Sequence, residues 1–280
     1  MTHDHGPPPV RRLAFSGTWY DHDAARLAAD VDTWLSRVAP LAGRACALVA
    51  PHAGLRYSGR IAAWSYQPLW GVALDAVVLI GPSHYAAFTG CAMLRRGSLA
   101  TPWGAMPVHA ELAEALASES PLLSEERADI HAAEHSLELH LPLLARVQPG
   151  VAVVPILVGQ PSREVAEALG DALARAVAGR RVVLAASSDL SHFHPRDAAR
   201  RLDDEVLRCF DACDADALMR ALEHEPGHAC GGVPAAAVMR ASRALGATGG
   251  GVRQYGDSGD VSGDLARVVG YAAAVWTASA

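Results

Sequence analysis

Short, unbroken apolar runs alternate along this 280-residue chain with longer stretches in which apolar residues recur every three or four positions. The runs are Cys46-Ala47-Leu48-Val49-Ala50, Ala76-Val77-Val78-Leu79-Ile80, residues 151–158 and residues 182–186. Continuous apolarity over five to eight residues is the pattern of strands covered on both faces, as in a parallel sheet. The helical spacing predicts an element from near His22 through Leu27, Val31 and Leu35, closing before Pro40. Further helices are expected over residues 58–70, 108–116, 163–177 and 234–245, with one long helix over 196–222. Ala92-Met93-Leu94 reads as a short strand, and residues 252–255 and 268–276 as late strands joined by the polar turn at 256–260. Strand, helix and strand in turn make βαβ units. The expectation is one α/β domain over residues 11–280, with a largely parallel central sheet and helices on both faces. Residues 1–10, rich in proline and carrying His3 and His5, read as a flexible leader.

Histidines stand where three apolar runs give out: His52 in Pro51-His52-Ala53-Gly54, His84 in Gly81-Pro82-Ser83-His84, and His192 in Ser187-Ser188-Asp189-Leu190-Ser191-His192. Parallel strands finish along one edge of the sheet, the crevice where such folds bind ligands, so these residues are expected to meet there. Neutral imidazole is a common ligand for Zn, Cu and Fe, and a strand end holds it rigidly. The bland alternative for each is a histidine bonded to a loop carbonyl.

Composition narrows the chemistry. A hydrophobic share of 51% with 19% charged residues supplies a sizeable core. The net charge of −6 and scattered arginines argue against a nucleic-acid surface. There is no lysine and no asparagine, which excludes a Schiff-base or P-loop lysine and any N-glycosylation acceptor. Five cysteines without disulfide spacing fit a reducing cytoplasm. No apolar run approaches the ~18 residues that span a bilayer, and the start of the chain has no secretory pattern. A small molecule or a peptide is therefore the expected ligand, without nucleic acid or membrane.

Asp189, three residues before His192, suits a carboxylate that orients an imidazole for acid/base work or behind a metal; its alternative is a helix cap. Cys230, in Gly227-His228-Ala229-Cys230-Gly231-Gly232, sits at a predicted helix start where a thiolate is favoured. Cys46 and Cys91 read as buried apolar residues, and Cys209 and Cys213 as either a packed helix face or a metal clip. His131-Ala-Ala-Glu134-His135 matches the H-x-x-E-H zinc-protease pattern, which requires a continuous helix. Trp19, Tyr20, Arg56 and Tyr57 read as a pocket wall or as core.

Taken together, Ser16-Gly17-Thr18-Trp19-Tyr20, the segment from Pro51 to Gly59, Gly81-Pro82-Ser83-His84, Glu134-His135-Ser136-Leu137-Glu138, Ser187 to His192 and Cys230-Gly231 resemble the Memo family, whose bacterial members are called AmmeMemoRadiSam system protein B. The resemblance covers nearly the whole chain. It implies a fold like that of the class III extradiol dioxygenases, with metal ligands at His52, His84 and Cys230 where those enzymes use two histidines and a carboxylate. It also places Asp189 and His192 at the pocket as the catalytic pair, with Trp19, Tyr57, Glu134 and His135 near it. A thiolate in place of a carboxylate shifts the metal preference toward Cu(I), Zn or an electron-rich iron site. The leading expectation is a redox protein holding Fe(II), with Cu or Zn as alternatives, and a radical SAM protein as partner. Its rivals are a non-catalytic peptide- or partner-binding module in the same pocket, and a zinc protease built on His131, Glu134 and His135.

Overall fold

All four apolar runs form strands, and in the computed structural model, which describes residues 9–278, those strands lie side by side and parallel. In chain order the strands are β1 Val10–Arg11, β2 Arg44–Ala50, β3 Ala76–Pro82, β4 Cys91–Met93, β5 Ser98–Thr101 and β6 Gly104–Pro107. They continue with β7 Glu125–Glu126, β8 Ala152–Val158, β9 Val182–Ser187, β10 His192–His194, β11 Ala247–Asp257 and β12 Val268–Ala278. The first five helices are α1 Ala24–Ser36, α2 Leu55–Tyr66, α3 Ala110–Glu119, α4 Ala128–Ala133 and α5 Leu141–Val147. The others are α6 Arg163–Val177, α7 Arg196–Ala212, α8 Ala215–His224, α9 Gly232–Ala244 and the short α10 Gly259–Ser262.

The parallel centre has the order β2-β9-β3-β8, and antiparallel β12 and β4 extend it on either side. Its residues alternate between two apolar layers, as a period of two requires. Ala47, Val49, Val78 and Ile80 pack with α3, α6, α7, α8 and α9, whereas Leu48, Ala50, Val77 and Leu79 pack with α1, α2 and α5. Each fully buried Leu, Val or Ile contributes about 1.5–3 kcal/mol, so the two layers together dominate stability.

Three departures from the sequence reading have local causes. The expected long helix is broken: Cys213 adopts a left-handed conformation (φ 49°), and the Asp214 carboxylate caps α8 by accepting from the Ala217 N–H. Helix α2 starts at Leu55 rather than near residue 58, because the Leu55 N–H finds the carbonyl of Trp19 (2.9 Å). Residues 1–8 of the expected leader lie outside the described residues. Val10 and Arg11 pair in parallel with Ser98 and Leu99 in a separate three-stranded sheet.

Arg11 fastens this N-terminal segment to the interior. Its buried guanidinium bonds Glu138 and donates to the carbonyls of His131 (3.0 Å) and Glu134 (2.6 Å). Glu138 in turn accepts from the N–H groups of Ala14 and Phe15 and from the Tyr20 hydroxyl (2.7 Å), so one carboxylate holds the chain through the turn that carries Trp19. Arg11→Ala strands that carboxylate without its cation. We expect a loss of about 3–5 kcal/mol in urea unfolding, and an unchanged midpoint would remove the ion pair from this account.

Two imidazoles are buried beside that anchor. His131 is pushed from the usual 6.5 down to about 4, and His140 down to about 3, in both cases by burial first. Both are neutral when folded, so the unfolded chain binds more protons between those values and 6.5, and stability falls as pH drops through that window. By pH 5 each costs about 2 kcal/mol relative to pH 7. The drop in unfolding free energy between pH 7 and pH 5 should shrink by roughly that amount in His131→Gln, and a drop of full size in the variant would count against it.

Candidate metal centre

The strand order puts the ends of β2, β9 and β3 next to one another, with Ala50 in register with Ser187 and Ala186 with Ile80. His52, Asp189 and His84 each follow the last residue of their strand by two positions, so all three emerge at one level of one edge. The loop after α4 adds His135 from above. Ligand nitrogens of His52, His84 and His135 lie within 4.8 Å of one another, and these three residues form a group able to hold a metal ion. The His52 and His84 rings meet edge to face at 5.1 Å, whereas His135 stacks on His84 at 4.4 Å with 29° between the planes.

Cys230 reaches the same edge from the start of α9. Its N–H donates to the Asp189 carbonyl (3.3 Å) and the next N–H, of Gly231, to Ser188 Oγ (3.0 Å). Gly231 is required there, since a Cβ at that position would overlap the Ser187 carbonyl. The Cys230 sulfur stands 3.3 Å from His52 Nε2, but among the described residues the three donors within 4.8 Å of one another are His52, His84 and His135, so His135 takes the place in that group expected for Cys230. Burial, followed by the neighbouring Asp189, pushes its thiol up.

Outer hydrogen bonds aim the rings. Glu134, itself buried, accepts from the backbone N–H of His84 (2.6 Å) and the N–H of Ser136 (2.9 Å), and faces His84 Nδ1 at 2.9 Å. Burial raises this carboxyl, but the imidazoles of His135 and His84 and those two N–H groups outweigh burial and hold it well below the carboxylate range. An ionised carboxylate only accepts, so His84 carries a proton on Nδ1, and Nε2 is the ring nitrogen left for another partner. His135 Nδ1 lies 3.1 Å from the same oxygen without aligning to it, and is a buried nitrogen with no hydrogen-bond partner. Two imidazoles whose Nδ1 atoms are already occupied, with a third imidazole in reach of both, are a donor set that fits a cation.

Behind His52 lies a chain of buried polar groups. His52 Nδ1 is 2.7 Å from Ser187 Oγ, which also contacts His140 Nε2 (2.7 Å) and the Ser136 carbonyl (2.7 Å). His140 Nδ1 meets the Tyr66 hydroxyl at 2.6 Å. Burial, then the charges of His84, His135 and His140, hold His52 neutral well below its usual range.

Sequence reasoning places His52, His84, Asp189 and His192 here, and the structure brings them to one cleft of about 590 Å³, along with Trp19, Tyr57 and His135. Asp189 does not orient His192 as expected. Its Oδ1 accepts from the backbone N–H groups of His52 (2.8 Å) and Ala53 (3.2 Å), so it fixes the His52 loop instead. Burial raises the Asp189 carboxyl, with His192 opposing. His192 stands across the cleft on β10, paired with Val269. Glu134 lies under the cluster as its anchor, and the zinc-protease geometry fails. Helix α4 ends at Ala133, and the buried His131 Nε2 bonds the Ala92 carbonyl (3.0 Å), away from His135. Cys209 and Cys213 are buried in the apolar layer behind α7, and Cys213 falls beyond the helix end, which removes the clip. Ser187, His140 and Tyr66 are missed by the sequence reading. The signal for Ser187 was a hydroxyl at the foot of an otherwise apolar strand.

Residues 11–275 match the family model described as Memo-like protein. A MEMO1 family protein of Methanothermobacter thermautotrophicus is 33% identical over 274 residues, covering 94% of this chain and 99% of that one. Another, from Methanopyrus kandleri, is 36% identical over 235 residues, covering 82% of each chain. Both sources are archaea, whereas the motifs alone point to the bacterial branch. Among solved structures, an uncharacterized protein from Escherichia coli K12 superposes with a TM-score of 0.55 at 17% identity, over 81% of this chain and 99% of that one, which is a likeness of fold. Among the described residues no helix is long and apolar enough to cross a membrane. On these matches the chain belongs to the Memo family, of the extradiol dioxygenase-like fold.

Proposed function

We propose that the cluster is a mononuclear Fe(II) centre for oxygen-dependent redox chemistry on a small molecule, with His52, His84 and Cys230 as ligands and His135 stacked beside them. The observation that carries this reading is the convergence of two imidazole Nε2 atoms whose Nδ1 atoms are already committed, with a sulfur 3.3 Å from one of them. His52 Nε2, His84 and the Cys230 sulfur would hold the ion. Iron in such a set supplies a redox-active Lewis acid with open positions.

The chain's own groups do the rest. Glu134 holds the proton on His84 Nδ1, and Asp189 fixes the His52 loop through two backbone N–H bonds. Trp19, Tyr57 and Tyr271 wall the cleft with apolar rings that bind a planar ligand and exclude water. His192, half-buried on the facing strand, is the group in place to exchange a proton with that ligand. A peptide-binding module in the same cleft is the rival, and it has no use for three imidazoles in mutual reach. A radical SAM protein is proposed as the partner.

Tag-free protein titrated anaerobically with Fe(II) is expected to bind one ion per chain. His84→Ala should weaken binding more than 100-fold and Cys230→Ser at least 10-fold, both with unchanged unfolding midpoints. If Cys230→Ser is silent while His135→Ala abolishes binding, the third ligand is His135 and the proposed set is wrong. Glu134→Gln, which puts an amide donor against the His84 N–H, should cost 10- to 100-fold in affinity by misorienting the ring. Wild-type affinity in that variant would remove Glu134 from the centre.

A further inference from the structure

His84 has its tautomer imposed by a carboxylate, but His52 leans on a hydroxyl, which both donates and accepts. The ambiguity is removed by the other neighbours of that hydroxyl. Ser187 Oγ has three polar partners at 2.7 Å: His52 Nδ1, His140 Nε2 and the carbonyl of Ser136. A carbonyl only accepts, so the single hydroxyl proton goes to Ser136, and both imidazole nitrogens must then donate to the oxygen's lone pairs. Ser136, Ser187, His140 and Tyr66 are sealed from solvent, so water offers none of them another partner. Tyr66 closes the far end. Its buried hydroxyl meets His140 Nδ1 at 2.6 Å, and by donating there it leaves the His140 proton on Nε2, facing Ser187.

We propose that Ser187, backed by His140 and Tyr66, is a tautomer lock: it holds His52 in the Nδ1–H form and so makes Nε2 the atom offered to the metal. These are positioning residues that act through His52, and the metal half of the proposal rests on the reading above. Without the lock, the proton moves to Nε2, where it points at the Cys230 sulfur 3.3 Å away and closes the ligating position. The lock also requires Ser136, so the Glu134-His135-Ser136 loop that anchors His84 terminates the hydrogen-bond chain from His52. Both ligand rings are thereby set by one segment.

The assignment is testable on the metal-free, full-length protein. Long-range proton–nitrogen NMR of ¹⁵N-histidine protein at neutral pH is expected to show His52 with a protonated Nδ1 and a bare Nε2, and His140 with the opposite pattern. In Ser187→Ala the His52 signals should shift to the Nε2–H pattern, and Fe(II) and Zn(II) affinities should each fall 10- to 100-fold. Tyr66→Phe, which deletes one hydroxyl at the end of the chain, should release the His140 pattern and leave a smaller effect on His52. An Nε2–H His52 in the wild-type protein overturns the lock whatever the variants do, and leaves the metal reading standing. The converse, an Nδ1–H His52 in a protein that takes up neither metal, sinks the metal reading and retains the assignment.

Discussion

Parallel register is the constraint from which the site follows. Strands β2, β9 and β3 run the same way and end at one level, so each contributes its next two residues to the same small volume. An antiparallel neighbour would send alternate strand ends to opposite edges. The flanking β12 and β4 are antiparallel, and the candidate donors come from the parallel centre and the loop after α4. The packing of the two layers fixes that register, because a slip of one residue would send Leu48 and Leu79 to the opposite face, into the layer fitted to Ala47, Val49, Val78 and Ile80.

Such an edge is energetically awkward. His52, Glu134, Asp189, His140 and Ser187 are all buried, and a buried polar group without a partner costs about 1–3 kcal/mol. The fold meets this with a continuous set of hydrogen bonds: Arg11 to the carbonyls around Glu134, Glu134 to His84, Asp189 to the His52 loop, Ser187 to two rings and a carbonyl. Nearly every donor has an acceptor. The buried side-chain atoms left over include His135 Nδ1, which lies 3.1 Å from Glu134 Oε1 without aligning to it.

How much of this was legible follows from what each signal depends on. Unbroken apolar runs ending in Pro-His or Ser-Asp fix strands and their exit points from local pattern alone, so His52, His84 and Asp189 were visible. Cys230 emerged from its glycine-rich surroundings, which reflect the close approach of Gly231 to the Ser187 carbonyl. The break at Cys213 was hidden because its left-handed conformation is rare for a side chain other than glycine, and the flanking Asp214 reads equally well as helix surface. The partner of Asp189 was misjudged since spacing of three suggests His192, whereas the chain turns the carboxylate back onto the backbone of a loop 137 residues away. His140 and Tyr66 left no trace, because their role depends on contacts between elements remote in sequence.

The relation of His135 to the centre turns on ring geometry. Lone pairs lie in the plane of an imidazole, so two rings stacked at 4.4 Å and 29° direct them nearly side by side rather than toward a shared point. The His52 and His84 rings are crossed at 72° with centroids 5.1 Å apart. Stacking instead gives His135 a surface for Trp19, whose ring lies 4.3 Å from it, and through Trp19 it joins the wall of the cleft. His135 thus sits between the His84 ring and the aromatic wall. That arrangement couples the N-terminal turn, held by Glu138, to the position of the ligand nitrogens. It also gives the buried Arg11–Glu138 pair a part in the site, since a loose Trp19 would uncover the buried His135.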